Sequence, residues 1–196
     1  MNWLARLIVD SATKEYSRAA KGMFTLWGFI VFQLLVPGAA ALLGLVADRL
    51  FGFGFDVHMM ARWGVFVPLF VVGQTFIIWT AVHQLRFSGG TPAFKAPPKK
   101  LLVAGPYRYC RNPMIFGYLA FYYGVAVLVA SPAALLGFCP ALHLFALYVI
   151  VHVEEVELER RFGRDYLDYK SRVNRMLPSP PSWRPRNRQR SAPAER

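Results

Sequence analysis

The chain has 196 residues, 55% hydrophobic and only 17% charged, yet its formal net charge is +12, with 23 Lys+Arg against 11 Asp+Glu. An ordinary globular chain is about 45–50% apolar and about 25% charged, so a mean hydropathy of +0.31 beside that positive excess points to a membrane protein whose ends face anionic lipid. Nucleic-acid binding lacks a polar domain to carry the charge, and 16 Phe, 9 Tyr and 5 Trp exclude disorder over most of the length.

In chain order, residues 1–21 read as an N-terminal segment, with Trp3, Leu4, Leu7 and Ile8 as an apolar face suited to the membrane interface. The first long apolar run begins only after Lys21, so no secretory pattern is present, and Ala194-Glu195-Arg196 is no CaaX box. The expectation is an unprocessed chain anchored by its own helices. Four apolar stretches follow: Gly22–Ala47, interrupted by Gln33 and Pro37-Gly38; Trp63–Leu85, with Gln74 and His83; Met114–Ala130; and Pro132–Val153. A spanning helix needs about 20 residues, so the third, with 17, is marginal. The fold expected is an all-α integral membrane protein of about four transmembrane helices.

Only Ser131-Pro132 separates the last two stretches, which predicts a tight helical hairpin. Positive residues then set the topology. The N-terminal segment has 4, the first connection 2, the second 6, the hairpin turn none, and the tail from Arg160 has 11. Four crossings place 21 of the 23 on one side, which the positive-inside rule makes cytoplasmic, with both termini. In the tail, Glu154–Arg172 is amphipathic, with Glu157/Arg161 and Asp168/Arg172 as i,i+4 pairs and a break expected at Gly163. The domain plan is therefore 1–21, the first two spans over 22–88, a core over 89–178 with a cytoplasmic C-terminal helix, and a disordered basic tail over 179–196.

The second connection carries the first chemical signal. It holds Gly89-Gly90-Thr91-Pro92, then Pro97-Pro98-Lys99-Lys100-Leu101-Leu102, Gly105-Pro106-Tyr107-Arg108-Tyr109-Cys110-Arg111 and Asn112-Pro113-Met114-Ile115. Recurrent Pro and Gly make it an ordered string of turns. Asn112-Pro113 reads as N-cap and first helical residue, and a helix N-terminus flanked by Arg108 and Arg111 favours an anionic group. A basic loop touching lipid phosphates reads equally well. The second signal is Glu154-Glu155 at the end of the fourth stretch, where ionisable side chains are costly and so point to function. Glu155 and Glu159 share a face, while Glu154 points elsewhere; a solvated helix end is the simpler reading.

Other patterns are weak. Phe51-Gly52-Phe53-Gly54-Phe55-Asp56-Val57 lacks the third glycine of a dinucleotide loop. The four histidines show no metal-ligand spacing, no Gly-x-Ser-x-Gly occurs, and Cys110 and Cys139 form no CxxC. No metal site, and no catalytic acid, base or nucleophile, is assigned.

Taken together, Leu101-Leu102, Gly105-Pro106-Tyr107-Arg108-Tyr109, Arg111-Asn112-Pro113 with Gly117, Glu154-Glu155 and Phe162-Gly163-x-x-Tyr166-x-x-Tyr169 resemble the isoprenylcysteine carboxyl methyltransferase family, to which phospholipid N-methyltransferases are related. The resemblance covers roughly Gly89 to Pro178. It implies an integral membrane enzyme that uses S-adenosylmethionine without a Rossmann domain, acts on a lipophilic methyl acceptor among membrane lipids, and takes no nucleic acid or metal. It further implies cofactor contacts at Lys100, Leu101, Leu102 and Tyr107, in the helix start Asn112-Pro113-Met114-Ile115, and at Glu154. Arg108 or Arg111 would meet the cofactor carboxylate, and Glu155, at the same end of the fourth stretch, is a further expected cofactor contact. Two departures stand out: Asn112 replaces the usual His, and Ile150 lies where the eukaryotic enzymes have a substrate-binding arginine. The competing readings are a phospholipid amine as acceptor, and a non-enzymatic lipid-binding subunit.

Overall fold

Apolar runs of this length satisfy their backbone groups in lipid only as helices. The computed structural model describes residues 17–54, 56–88 and 100–180, and they are helical, with no strand among them. The N-terminal apolar segment, the Gly89–Lys99 part of the second connection and the basic tail beyond Pro180 lie outside the described residues.

Helix α1 (Arg18–Ile30) passes through a π turn (Val31–Leu35) into α2 (Val36–Phe51). Helix α3 (Met59–Phe87) is continuous through Pro68. After a 3₁₀ turn (Gly105–Arg108) comes α4 (Pro113–Leu128). A π turn (Ala134–Phe138), α5 (Cys139–Val149), a second π turn in that helix (Ile150–Glu154) and α6 (Glu155–Phe162) form one long rod. Gly163, at φ 53°, breaks it from α7 (Arg164–Arg172), as its position in the sequence predicts. Among the described residues, three helices are long and apolar enough to cross a membrane: Gly22–Phe51, Met59–Phe87 and Ala134–Phe162. The third apolar stretch is the short one. Pro113 starts α4 and Ala130, at φ 52°, turns the chain away, leaving 16 helical residues, about 24 Å against a hydrocarbon core of about 30 Å.

Helices in lipid associate through small residues and polar pairs rather than through apolar burial. Both devices operate here. Gly73 of α3 faces Gly117 of α4 so closely that a Cβ on Gly117 would lie 2.6 Å from the Gly73 carbonyl oxygen. Phe66–Phe70–Phe121 and Phe76–Phe116 ring contacts flank that crossing. Gln33, the buried polar residue of the first stretch, exchanges side-chain hydrogen bonds with Gln74 of α3 (2.8 and 3.1 Å). The Tyr122 hydroxyl donates to the Phe32 carbonyl inside the first π turn (2.8 Å).

The hairpin forms as expected. Ser131 Oγ accepts the Ala134 amide (3.0 Å), and Asp48 Oδ1, from the end of α2, accepts the Ala133 amide (2.9 Å). Of the three π turns among the described residues, two end two positions before a proline, Pro37 or Pro140, whose missing N–H already breaks the α ladder. The third, at Ile150–Glu154, has no proline. It inserts its extra residue immediately before Glu155, and such π bulges are frequent at functional sites.

Candidate functional site at the loop end of the bundle

The connection that reads as turns wraps across the end of α3. Gly105 adopts φ 59°, and a Cβ there would meet His83 Nδ1 at 2.7 Å, so both the backbone sign and the space demand glycine. The next residues form the 3₁₀ turn, which carries Tyr107 onto Gln84: Gln84 Nε2 donates to the Tyr107 hydroxyl at 2.5 Å. From the other side the Tyr169 hydroxyl donates to the Tyr107 carbonyl (2.7 Å). Burial pushes the Tyr107 hydroxyl well above its usual range, with the charge of Glu154 adding to the rise and the Gln84 hydrogen bond opposing it.

The C-terminal helix closes this arrangement. Tyr166, Tyr169 and Val173 are buried against Leu101, Val103, Tyr107, Leu158 and Phe162, so loop, rod end and α7 share one core. Past α7 the chain runs beside the loop and ties to it through its backbone. Arg111 N donates to the Asn174 carbonyl (2.8 Å), Asn112 N to the Arg175 carbonyl (3.1 Å) and Ser179 N to the Tyr109 carbonyl (3.0 Å).

Glu155 is the electrostatic centre. It is 3% exposed, and its carboxylate meets Arg111, Lys170 and Arg175, each at 2.9 Å. Lys170 also reaches Glu159 (2.6 Å), so the shared Glu155/Glu159 face exists. Lys170 is held above its usual range first by the Glu159 and then by the Glu155 hydrogen bond, and Arg175 above its own by Glu155. The i,i+4 pairs Glu157–Arg161 and Asp168–Arg172 form as read. Glu154 has no cationic partner among the described residues.

The candidate residues thus divide. Arg111, Asn112, Glu155, Tyr107 and Leu101 are joined by direct contacts or a shared core. Ile115 packs with Leu119, Ile150 and Met176, and Pro113 is fully buried at the start of α4. Leu102, Met114 and Arg108 are half-buried beside them, whereas Lys100 is exposed at the start of the described loop. Asn112 holds the N-cap position of α4, but its side chain makes no capping bond. Its Nδ2 donates instead to the Arg175 carbonyl (3.0 Å), because the tail segment takes up the amide.

Sequence reading missed Thr80, Gln84, Lys170 and Arg175. Thr80 and Gln84 are one turn apart on α3, and polar residues at that spacing near one end of an apolar helix were the available signal. Among the described residues, four buried polar atoms at this end lack hydrogen-bond partners: Thr80 Oγ1, Gln84 Oε1, Arg108 Nε and Arg111 Nε. Unpaired buried groups are expensive, and here donors and acceptors gather around one loop. Cys110 and Cys139 are free and buried, and burial pushes the Cys110 thiol up to about 12. Among the described residues no cluster of His, Cys, Asp or Glu could hold a metal.

The chain is 33% identical over 85 residues to the protein-S-isoprenylcysteine O-methyltransferases of Mus musculus and of Rattus norvegicus. That stretch is 43% of this chain but only 29% of either relative's length. A family model described as phospholipid methyltransferase matches residues 63–165, from the first turns of α3 through the hairpin to the start of α7. The chain belongs to the phospholipid methyltransferase family.

Proposed function

We propose that this protein is an S-adenosylmethionine-dependent integral membrane methyltransferase whose acceptor is lipid-like or isoprenylcysteine-like. The observation that carries the reading is the gathering of unpartnered buried polar atoms from Thr80, Gln84, Arg108 and Arg111 around the loop that also holds Tyr107 and ends beside Glu154-Glu155. Those groups suit the polar parts of such a cofactor. Arg108 is the better partner for its carboxylate, because Arg111 is already bound to Glu155. Thr80, Gln84 and Glu154 would serve its hydroxyl and amino groups, with Leu101, Leu102, Lys100 and the helix start Asn112-Pro113-Met114-Ile115 around it.

The cofactor would supply a methyl group on a sulfonium, which an acceptor lone pair takes in a single in-line displacement. The protein's work is then alignment of the reacting atoms at about 3–3.5 Å and exclusion of water. A carboxylate acceptor needs no base, whereas an amine must first lose a proton. Ile150, fully buried against Leu119 and Met176, leaves no cation where the resemblance puts an arginine. That favours an amine-bearing or other amphiphile over a prenylcysteine carboxylate, in keeping with the family description over the curated relatives. In this reading α4 and the rod cross as a hairpin, making four spans, and the 21 cationic residues on one side put both termini, α7 and the site in the cytoplasm.

Two measurements test it. Labelled S-adenosylmethionine binding in detergent should weaken in Glu154→Ala and in Tyr107→Phe; unchanged affinity in both rejects the site. Incubating membranes with the labelled cofactor and separating lipid from protein identifies which fraction acquires the methyl. Label in neither fraction rejects the enzyme and leaves a lipid-binding subunit.

A further inference from the structure

At the opposite end of the bundle, about 30 Å from Glu154 by the rise of the rod from Ala133, the end of α2 and the hairpin turn enclose a cleft of about 430 Å³. Asp48 and Arg49 lie in it beside Ala130, and Leu42, Leu45 and Val46 line its apolar side. Asp48 is 8% exposed; its Oδ1 holds the Ala133 amide, but its Oδ2 is buried without a partner among the described residues. No carboxylate among the described residues pairs with Arg49. A carboxylate oxygen next to lipid and lacking a donor is costly, and this one sits beside a free guanidinium.

The cleft is ordered along the helix axis. Its charged pair is at the helix end, while Leu45 and Leu42 lie about 5 and 9 Å deeper toward the middle of the bilayer. That is the order of headgroup and acyl chain in a lipid. We propose that the cleft binds a zwitterionic aminophospholipid, its ammonium donating to Asp48 Oδ2, its phosphate on Arg49 and a chain along Leu45 and Leu42. The requirement for a donor sets the selectivity: a primary or partly methylated amine has an N–H to give, and a choline headgroup has none. The bound lipid would brace the Asp48 contact that caps the rod, at a distance that keeps it out of the methyl-transfer site.

The test is native mass spectrometry of the full chain, released from micelles holding equal amounts of phosphatidylethanolamine, its N,N-dimethyl derivative, phosphatidylcholine and phosphatidylglycerol. The first two should be retained about tenfold over the last two, the worth of one charge-assisted hydrogen bond. Asp48→Asn keeps an acceptor for Ala133 but loses the charge, and should bring phosphatidylethanolamine down to the phosphatidylcholine level; Arg49→Ala leaves the cap untouched and, because both lipids carry the phosphate, should lower the retention of both about equally. Equal retention of ethanolamine and choline lipids by the parent overturns the proposal. So does a preference that survives Asp48→Asn, since that lipid sits elsewhere, the methyl-transfer site included. Should Asp48→Asn fail to fold, retention of both lipids at the parent level in Arg49→Ala overturns it alone.

Discussion

Glu155→Gln removes the negative charge from a carboxylate held by three cations, and those cations do not weigh equally. The Arg111 side chain is 8% exposed, so the variant leaves a buried guanidinium unpaired, an event that costs about 3–5 kcal/mol. Lys170 and Arg175 are 31% and 39% exposed, and pairs that open to solvent add about 0.5 kcal/mol each at most. Glutamine keeps part of the hydrogen bonding, worth about 1 kcal/mol, so the expected loss is about 3 kcal/mol. Cys110 is the reporter, fully buried within the same loop. In a Cys139→Ala background, the rate of Cys110 labelling by a thiol-reactive dye measures how often the loop opens. A loss of about 3 kcal/mol raises that rate about 100-fold, whereas Arg175→Ala should raise it about two- to threefold. If Glu155→Gln labels within about tenfold of the parent, or Arg175→Ala labels as fast as Glu155→Gln, Glu155 is not the hub described.

Three further outcomes follow from the geometry. Gly117→Ala must force α3 and α4 apart and lose about 1–3 kcal/mol, seen as a lower melting temperature in detergent; Gly28→Ala, which meets nothing within 4 Å, should not lower it. Gln33→Leu or Gln74→Leu alone strands the other amide, whereas the double variant strands neither, so a thermal double-mutant cycle should give a coupling of about 0.6–1.7 kcal/mol. Because the Cys110 thiol is pushed up to about 12, its proton is retained when an ordinary thiol has lost one. Alkylation of the folded protein by iodoacetamide should therefore be slow and keep rising about tenfold per pH unit from about pH 8 to 10, past the range where an ordinary thiol levels off, and a plateau near pH 9 would contradict its burial.

Much of the architecture was legible because lipid leaves few options. Uninterrupted apolar stretches must be helices, Ser131-Pro132 must turn, and Gly163 must break the last helix. What resisted reading was set by packing between distant segments. Asn112 looks like an N-cap because nothing local announces that the Arg175 carbonyl, 63 positions on, takes its side chain. Arg111 and Glu155 each stood out alone, yet their pairing, and the closure of Lys170 and Arg175 on the same carboxylate, depends on how α7 folds back after Gly163. Thr80 and Gln84 are two polar residues in an apolar helix, and only the arrival of Tyr107 gives Gln84 a role. The length of α4 was open for a related reason: Asn112-Pro113 marks its start, but its end depends on the Ala130 turn.

The adjacent glutamates are best separated by what each already holds. A carboxylate surrounded by three cations has little field left for a ligand, and Glu155 is in that position. Glu154 ends the proline-free π turn (Ile150–Glu154), has no cationic partner among the described residues, and contributes to the rise at Tyr107. If Glu154 serves the cofactor and Glu155 the loop, substitutions one position apart must separate two observables. Glu154→Gln should leave Cys110 labelling at the parent rate while weakening S-adenosylmethionine binding by about tenfold or more, the worth of one hydrogen bond to a charged group. Glu155→Gln should accelerate labelling strongly, yet the fraction that remains closed should bind within a few-fold of the parent. Measuring both quantities on both variants decides the matter: equal losses of binding would mean that the pair acts as one unit, and the division of roles would fall.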